Sequence, residues 1–137
     1  MAATSKTGAH PAKTRANSRA EFTLAFTKLR DILIPYQDKL KVTVDSKYKF
    51  YTETRSASHN GKPLFFAAVI MGRTNVSYHL MPLYWDPALL KGISPQLKKC
   101  MQGKSSFNFT EAKPNLFREL GRITAKGFAL YRSRNLL

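Results

Sequence analysis

Lys62-Pro63-Leu64-Phe65-Phe66-Ala67-Ala68-Val69-Ile70-Met71-Gly72 is the stretch from which the remaining elements can be placed. Residues 63–71 are apolar at every position, and turn residues bound the run on both sides. Such a run reads as a strand covered on both faces, or as a central strand lying under helices. Just before it, Asn60-Gly61 closes the segment 56–61 with a strong turn signal. Just after it, Gly72-Arg73-Thr74-Asn75 reverses the chain into a further strand from Val76 to Tyr84. Pro82 cannot donate to a sheet ladder, so that strand ends there or lies at an edge.

Moving outward, Leu40, Val42 and Val44 alternate with Lys41, Thr43 and Asp45, the pattern of a half-buried strand. Tyr48, Phe50 and Thr52 alternate with Lys49, Tyr51 and Glu53 in the same way. Four strands joined by short turns predict an antiparallel meander, and residues 105–109 supply a short fifth strand. At the N-terminal side, Ser18 stands as a helix N-cap with Glu21 in the capping-box position. Phe22, Phe26, Leu29 and Leu33 then follow at helical spacing until Pro35 stops the helix, which is expected over 19–34. Asp86-Pro87 and Ser94-Pro95 each open a short helix. Pro114 begins the last one, where Leu116, Phe117, Leu120, Ile123, Gly127, Phe128 and Tyr131 share a face. The expected fold class is α+β: a single antiparallel sheet of about five strands with the N- and C-terminal helices packed on one face. Residues 1–18 read as a flexible basic tail, 19–132 as a single domain and 133–137 as a short C-terminal tail.

The chain has 137 residues, 43% of them hydrophobic, which suits one domain with a real core. No apolar run approaches the roughly 20 residues needed to span a bilayer, so no membrane partner is expected. The single cysteine, Cys100, cannot form an internal disulfide, and no apolar leader opens the chain. A reducing, cytoplasmic setting is therefore expected. Charge is the outlying property: 23 Lys and Arg against 8 Asp and Glu, a net +15. Such a field attracts polyanions. A nucleic-acid partner would be met by Lys13, Arg15 and Arg19 near the N-terminus and by Arg118, Arg122 and Lys126 along the last helix.

Motifs for catalysis are weak. Gly103-Lys104-Ser105 imitates the end of a phosphate-binding loop, but the glycine required five places earlier is Lys98, and a strand follows instead of a helix. His10, His59 and His79 have no ligand spacing, and Cys100 has no CxxC partner, so no metal, cofactor or catalytic residue is assigned. The most unusual stretch is 75–85. Alternation puts Tyr78 and Leu80 on one face of the strand and His79, Met81 and Leu83 on the other. Tyr84 and Trp85 lie beyond the break at Pro82. Tyr78, His79, Tyr84, Trp85, Lys104 and Asn108 are accordingly the candidate ligand-binding residues.

Several phrases together resemble the YdhG-like family of small bacterial domains: Gly61-Lys62-Pro63 entering an apolar strand, then Val76-Ser77-Tyr78-His79-Leu80-Met81-Pro82. Ile93-Ser94-Pro95-Gln96-Leu97, the run from Gly103 to Phe109 and the closing helix from Leu120 to Tyr131 complete the resemblance, which covers roughly 19–132. It implies an α+β fold and, for one branch of the family, a frataxin-like role in iron delivery. The expected function is a non-catalytic module that binds a ligand or protein partner through the Tyr78–Trp85 and Lys104–Asn108 region. The alternative is electrostatic association with nucleic acid. The sequence leaves open whether an apolar edge strand pairs two copies of the chain into a homodimer.

Overall fold

The computed structural model describes residues 15–57 and 59–137. Its elements, in chain order, are helix α1 (Arg15–Leu33), strands β1 (Leu40–Asp45), β2 (Lys49–Thr54), β3 (Phe65–Met71) and β4 (Val76–Leu80). Short helices α2 (Pro82–Trp85) and α3 (Pro95–Lys99), strand β5 (Ser106–Phe109) and the long helix α4 (Pro114–Ser133) follow. The five strands form one antiparallel sheet in the order β1-β2-β3-β4-β5, so every neighbour in the sheet is also a neighbour in the chain. The apolar run that opens at Pro63 thus forms the central strand.

Two boundaries differ from the expectation. Helix α1 starts at Arg15, so residues 15–18 are helical and Ser18 is not an N-cap. Nothing in Arg15-Ala16-Asn17 forbids helical backbone, and Arg and Ala favour it. The rest of the expected tail, with Lys13, lies outside the described residues. Strand β4 stops at Leu80, not Tyr84: Met81 N–H still donates to the Phe66 carbonyl in the ladder register, but Pro82 has no N–H to continue it and begins a helical turn. At the other end of the chain, Leu136 and Leu137 fold back onto the core.

Helices α1 and α4 cover one face of the sheet. From α1 come Ala25, Phe26, Leu29 and Leu33; from α4, Phe117, Leu120, Ile123, Phe128 and Tyr131. They bury Phe50, Phe66, Val69, Tyr78, Leu80, Phe107 and Phe109 of the sheet. Phe66 reaches this core because the register slips between Thr52↔Ala67 and Glu53↔Phe65, a bulge that turns Phe66 and Ala67 to the same side. There Phe66 meets Phe128 and Tyr131 edge-on, at 5.9 and 5.4 Å between ring centres. Polar groups on this face are matched: Tyr78 Oη and Thr124 Oγ1 lie 2.6 Å apart, and Thr52 Oγ1 donates to the Ala67 carbonyl at 2.7 Å.

Among the described residues no helix lies on the opposite face. The sheet edges there are blunted. Strand β1 carries a bulge between Val42 and Val44 with Lys41 and Asp45 exposed, and β5 is flanked by residues 100–102, which bond to Asn108 N–H and Ser106 C=O.

Candidate functional site

The uncovered face is ordered in cross-strand rows, which follow directly from the register. One row runs Val44, Tyr51, Ala68, His79, Ser106; a second runs Lys49, Ile70, Ser77, Asn108. Lys41 stands opposite Glu53 on the neighbouring strand, and Glu53 opposite Phe65. The Tyr51 and Phe65 rings stack at 4.6 Å, and Lys49 Nζ stands 5.2 Å from the Tyr51 ring centre. Ala68 contributes only a methyl between Tyr51 and His79, so the floor of the face is low between two rings set two strands apart.

His79 is held by two hydroxyls. Its Nε2 lies 2.8 Å from Ser77 Oγ and its Nδ1 2.7 Å from Ser106 Oγ. A neutral imidazole donates through one ring nitrogen and accepts at the other, so one serine accepts from His79 and the other donates to it. Burial lowers the imidazole pKa from its ordinary value, which keeps this neutral arrangement near pH 7. A neutral imidazole set between hydroxyls is a polar contact surface with both ring nitrogens occupied.

Tyr78, the residue before His79, belongs to the covered face. It is fully buried and its hydroxyl is engaged by Thr124, so it cannot meet the same ligand as His79 and is removed from the candidate site. Burial raises its pKa well above the ordinary value of a phenol. Asn108 does share the uncovered face, beside Ser77. Tyr84, Trp85 and Lys104 gather at one end of the sheet instead. Lys104 Nζ lies 5.9 Å from the centre of the Tyr84 ring, and Trp85 meets Tyr84 and His59 edge-on at 6.1 and 5.4 Å. The Tyr131 hydroxyl donates to the Phe65 carbonyl at 2.7 Å. Trp85, packed against Tyr84 and His59, stays 40% exposed.

The basic candidates separate in space. Arg118, Arg122 and Lys126 project from the outer face of α4, away from the sheet. Arg122 and Lys126 are joined by Lys91 around a small hollow, and Arg118 donates to Asn115 Oδ1. Arg15 opens α1. Arg19 comes together with two cations that local sequence did not single out: Lys47 in the β1–β2 turn and Arg73 in the β3–β4 turn. A larger cleft of about 640 Å³ lies between α3 and α4 with Lys99 and Lys113 beside Glu119. The Glu119 carboxylate accepts from the Ser94 amide and hydroxyl at 2.8 and 2.6 Å, and those bonds hold its pKa below the usual carboxylate value.

Among the described residues no three His, Cys, Asp or Glu side chains come together in a way that could hold a metal ion. The oxygen-rich donor set that iron delivery requires is therefore not met by these residues. No described helix is long and apolar enough to cross a membrane. No family model, curated protein or solved structure matches the chain.

Proposed function

We propose that the protein is a non-catalytic module that binds single-stranded nucleic acid across the uncovered face of its sheet. The observation that carries this reading is the Lys49–Tyr51–Phe65 cluster: a stacked aromatic pair with an ammonium beside it, on a face that no described helix covers. Single-strand binders combine aromatic surfaces on which bases stack with cations that follow the phosphates. Here the rows that pass through Tyr51 and Lys49 end in Ser106 and Asn108, neutral hydrogen-bonding groups, and the net charge of +15 supplies long-range attraction. Cations on this face outnumber carboxylates, since Glu53 stands opposite Lys41.

The test is binding of fluorescent single-stranded and duplex oligonucleotides over a salt series. Single strands should bind more tightly than duplex, with a log–log salt slope of about −0.7 per phosphate contacted. Tyr51→Ala should weaken binding by about 5- to 100-fold, the value of one stacked base. Equal binding by the Tyr51→Ala variant, or a preference for duplex, would remove the sheet face from the reading.

A second reading is favoured by the exposed Trp85, packed edge-on against Tyr84 and His59. An aromatic ring fixed in the free protein loses little entropy on binding and suits a protein contact or a planar ligand. Trp85→Ala would then abolish that interaction while leaving oligonucleotide affinity on the sheet face unchanged.

A further inference from the structure

We infer that the pocket between the first turns of α1 and the β1–β2 and β3–β4 turns is a seat for a nucleoside phosphomonoester, free or at the end of a strand. The strand-end source rests on the sheet-face reading above; the free-nucleotide source does not. The pocket has a volume of about 430 Å³ and is lined by cationic, hydroxyl and apolar side chains from α1 and the two turns. Three segments far apart in the chain each bring one cation: Arg19 from α1, Lys47 and Arg73 from two separate turns. No carboxylate lines it among the described residues. Like charges gathered without a counter-charge repel one another, and a bound dianion removes that cost. A phosphomonoester carries close to two negative charges at neutral pH.

The remaining lining identifies the rest of the ligand. Tyr48 is 54% exposed at the rim, with Lys47 Nζ 5.5 Å from its ring centre, and Phe22 and Met71 are half-buried beside it. A planar, weakly polar group attached to the anion could stack on that ring while its phosphate meets the three cations. Ser18 and Thr23 add hydroxyls suited to a sugar. The turns are fixed before any ligand arrives. Ser46 Oγ accepts from the Tyr48 and Lys49 amides at 3.3 and 3.1 Å, and the Tyr48 carbonyl accepts from Met71 N–H at 2.7 Å. The second turn is closed by Gly72 N–H to the Asn75 carbonyl at 2.8 Å, which presents Arg73. Such pre-organisation lowers the entropy lost on binding.

The experiment compares short single-stranded oligonucleotides ending in hydroxyl, 5′-phosphate or 3′-phosphate, measured by anisotropy with the full chain. Mononucleotides and inorganic phosphate serve as competitors. A phosphate at one end should tighten binding by about tenfold, the value of a charge-assisted contact. Arg73→Ala and Lys47→Ala should erase that increment, and both side chains are exposed, so the fold should survive. Tyr51→Ala should weaken all oligonucleotides together and leave the increment intact. Tyr48→Ala should weaken mononucleotides more than inorganic phosphate. Equal binding of phosphate- and hydroxyl-ended strands, without competition by mononucleotides, would overturn the inference. Competition by inorganic phosphate as strong as by mononucleotides would overturn the nucleoside part of it. If hydroxyl-ended strands fail to bind while mononucleotides still do, the sheet-face reading fails and the pocket stands.

Discussion

On the helix-covered face the Tyr78 hydroxyl meets Thr124 at 2.6 Å in a fully buried setting; one residue later, on the uncovered face, His79 holds two serine hydroxyls with solvent alongside. The same strand thus serves two environments through its period of two. On the covered side a polar group is tolerated only because its partner is supplied, and the surroundings are aromatic and aliphatic. On the uncovered side polar and aromatic groups alternate, and the hydrogen bonds run between neighbouring side chains, His79 to Ser77 and Ser106. Neighbours in sequence can thus differ completely in how much stability their loss would remove.

The strongest way to break that contrast is to truncate both residues. Tyr78→Ala should cost about 3–5 kcal/mol of unfolding free energy in a denaturant titration, the usual range for a large buried aromatic. His79→Ala should cost under about 1 kcal/mol, because the site is partly solvated and Ser77 and Ser106 can turn to water. Similar losses for both would mean that the uncovered face is also a core, and the binding proposal would lose its surface. Tyr78→Phe sharpens the point. It removes only the hydroxyl, and about 1 kcal/mol should disappear with the bond to Thr124.

A smaller effect should come from where the covered face supports the sheet's exposed end. Gly127 on α4 lies against Pro82 on α2: a methyl group added there would sit 2.9 Å from two ring carbons of the proline. Neither the helix nor a buried proline can yield easily, so Gly127→Ala should cost about 1–3 kcal/mol in overpacking. The gain in helix propensity, about 1 kcal/mol, offsets part of this. The readout is direct, because Trp85 in α2 is the only tryptophan and its fluorescence should shift as its packing against Tyr84 and His59 is disturbed. An unshifted emission with unchanged stability would show that α2 is not seated on Gly127.

How much of this could be read from the sequence divides along the same line. The five strands, the two long helices and the split of Tyr78 from His79 follow from periodicity, which is local. Which of the two faces the helices cover does not. It depends on α1 and α4 arriving from opposite ends of the chain and on a bulge that turns Phe66 inward beside Ala67. The end of β4 at Leu80 was marked by Pro82, but the fate of Tyr84 and Trp85 depended on Gly127, some forty residues away. Ser77 and His79 are two apart and share a face by alternation; Ser106 joins them only through register. The Arg19–Lys47–Arg73 pocket had no local signature at all, since three separate segments contribute one cation each. The excess charge signalled an anion without giving it a place.

The smallest predicted effect separates the faces by titration. The folded state holds His79 neutral because burial lowers its pKa below the ordinary value of about 6.5. Below that ordinary value the unfolded chain takes up a proton that the folded protein refuses, so the unfolded state binds more protons. Stability therefore falls as pH drops from about 6.5 toward the lowered folded pKa, and becomes level with respect to this group below it. Tyr78 and Tyr131, whose pKa values are raised, contribute nothing in this range because a phenol is neutral throughout it. The measurement is the difference in unfolding free energy between wild type and His79→Gln from pH 7.5 to pH 5. Glutamine keeps a donor and an acceptor for the two serines but cannot take the proton. The difference should change with pH only below about 6.5, in the direction that favours the variant at acid pH. A difference that stays flat across the range would mean that His79 is solvated well enough to protonate in place. The uncovered face would then present an additional cation to a phosphate backbone at acid pH, and oligonucleotide affinity should rise there as stability stays constant.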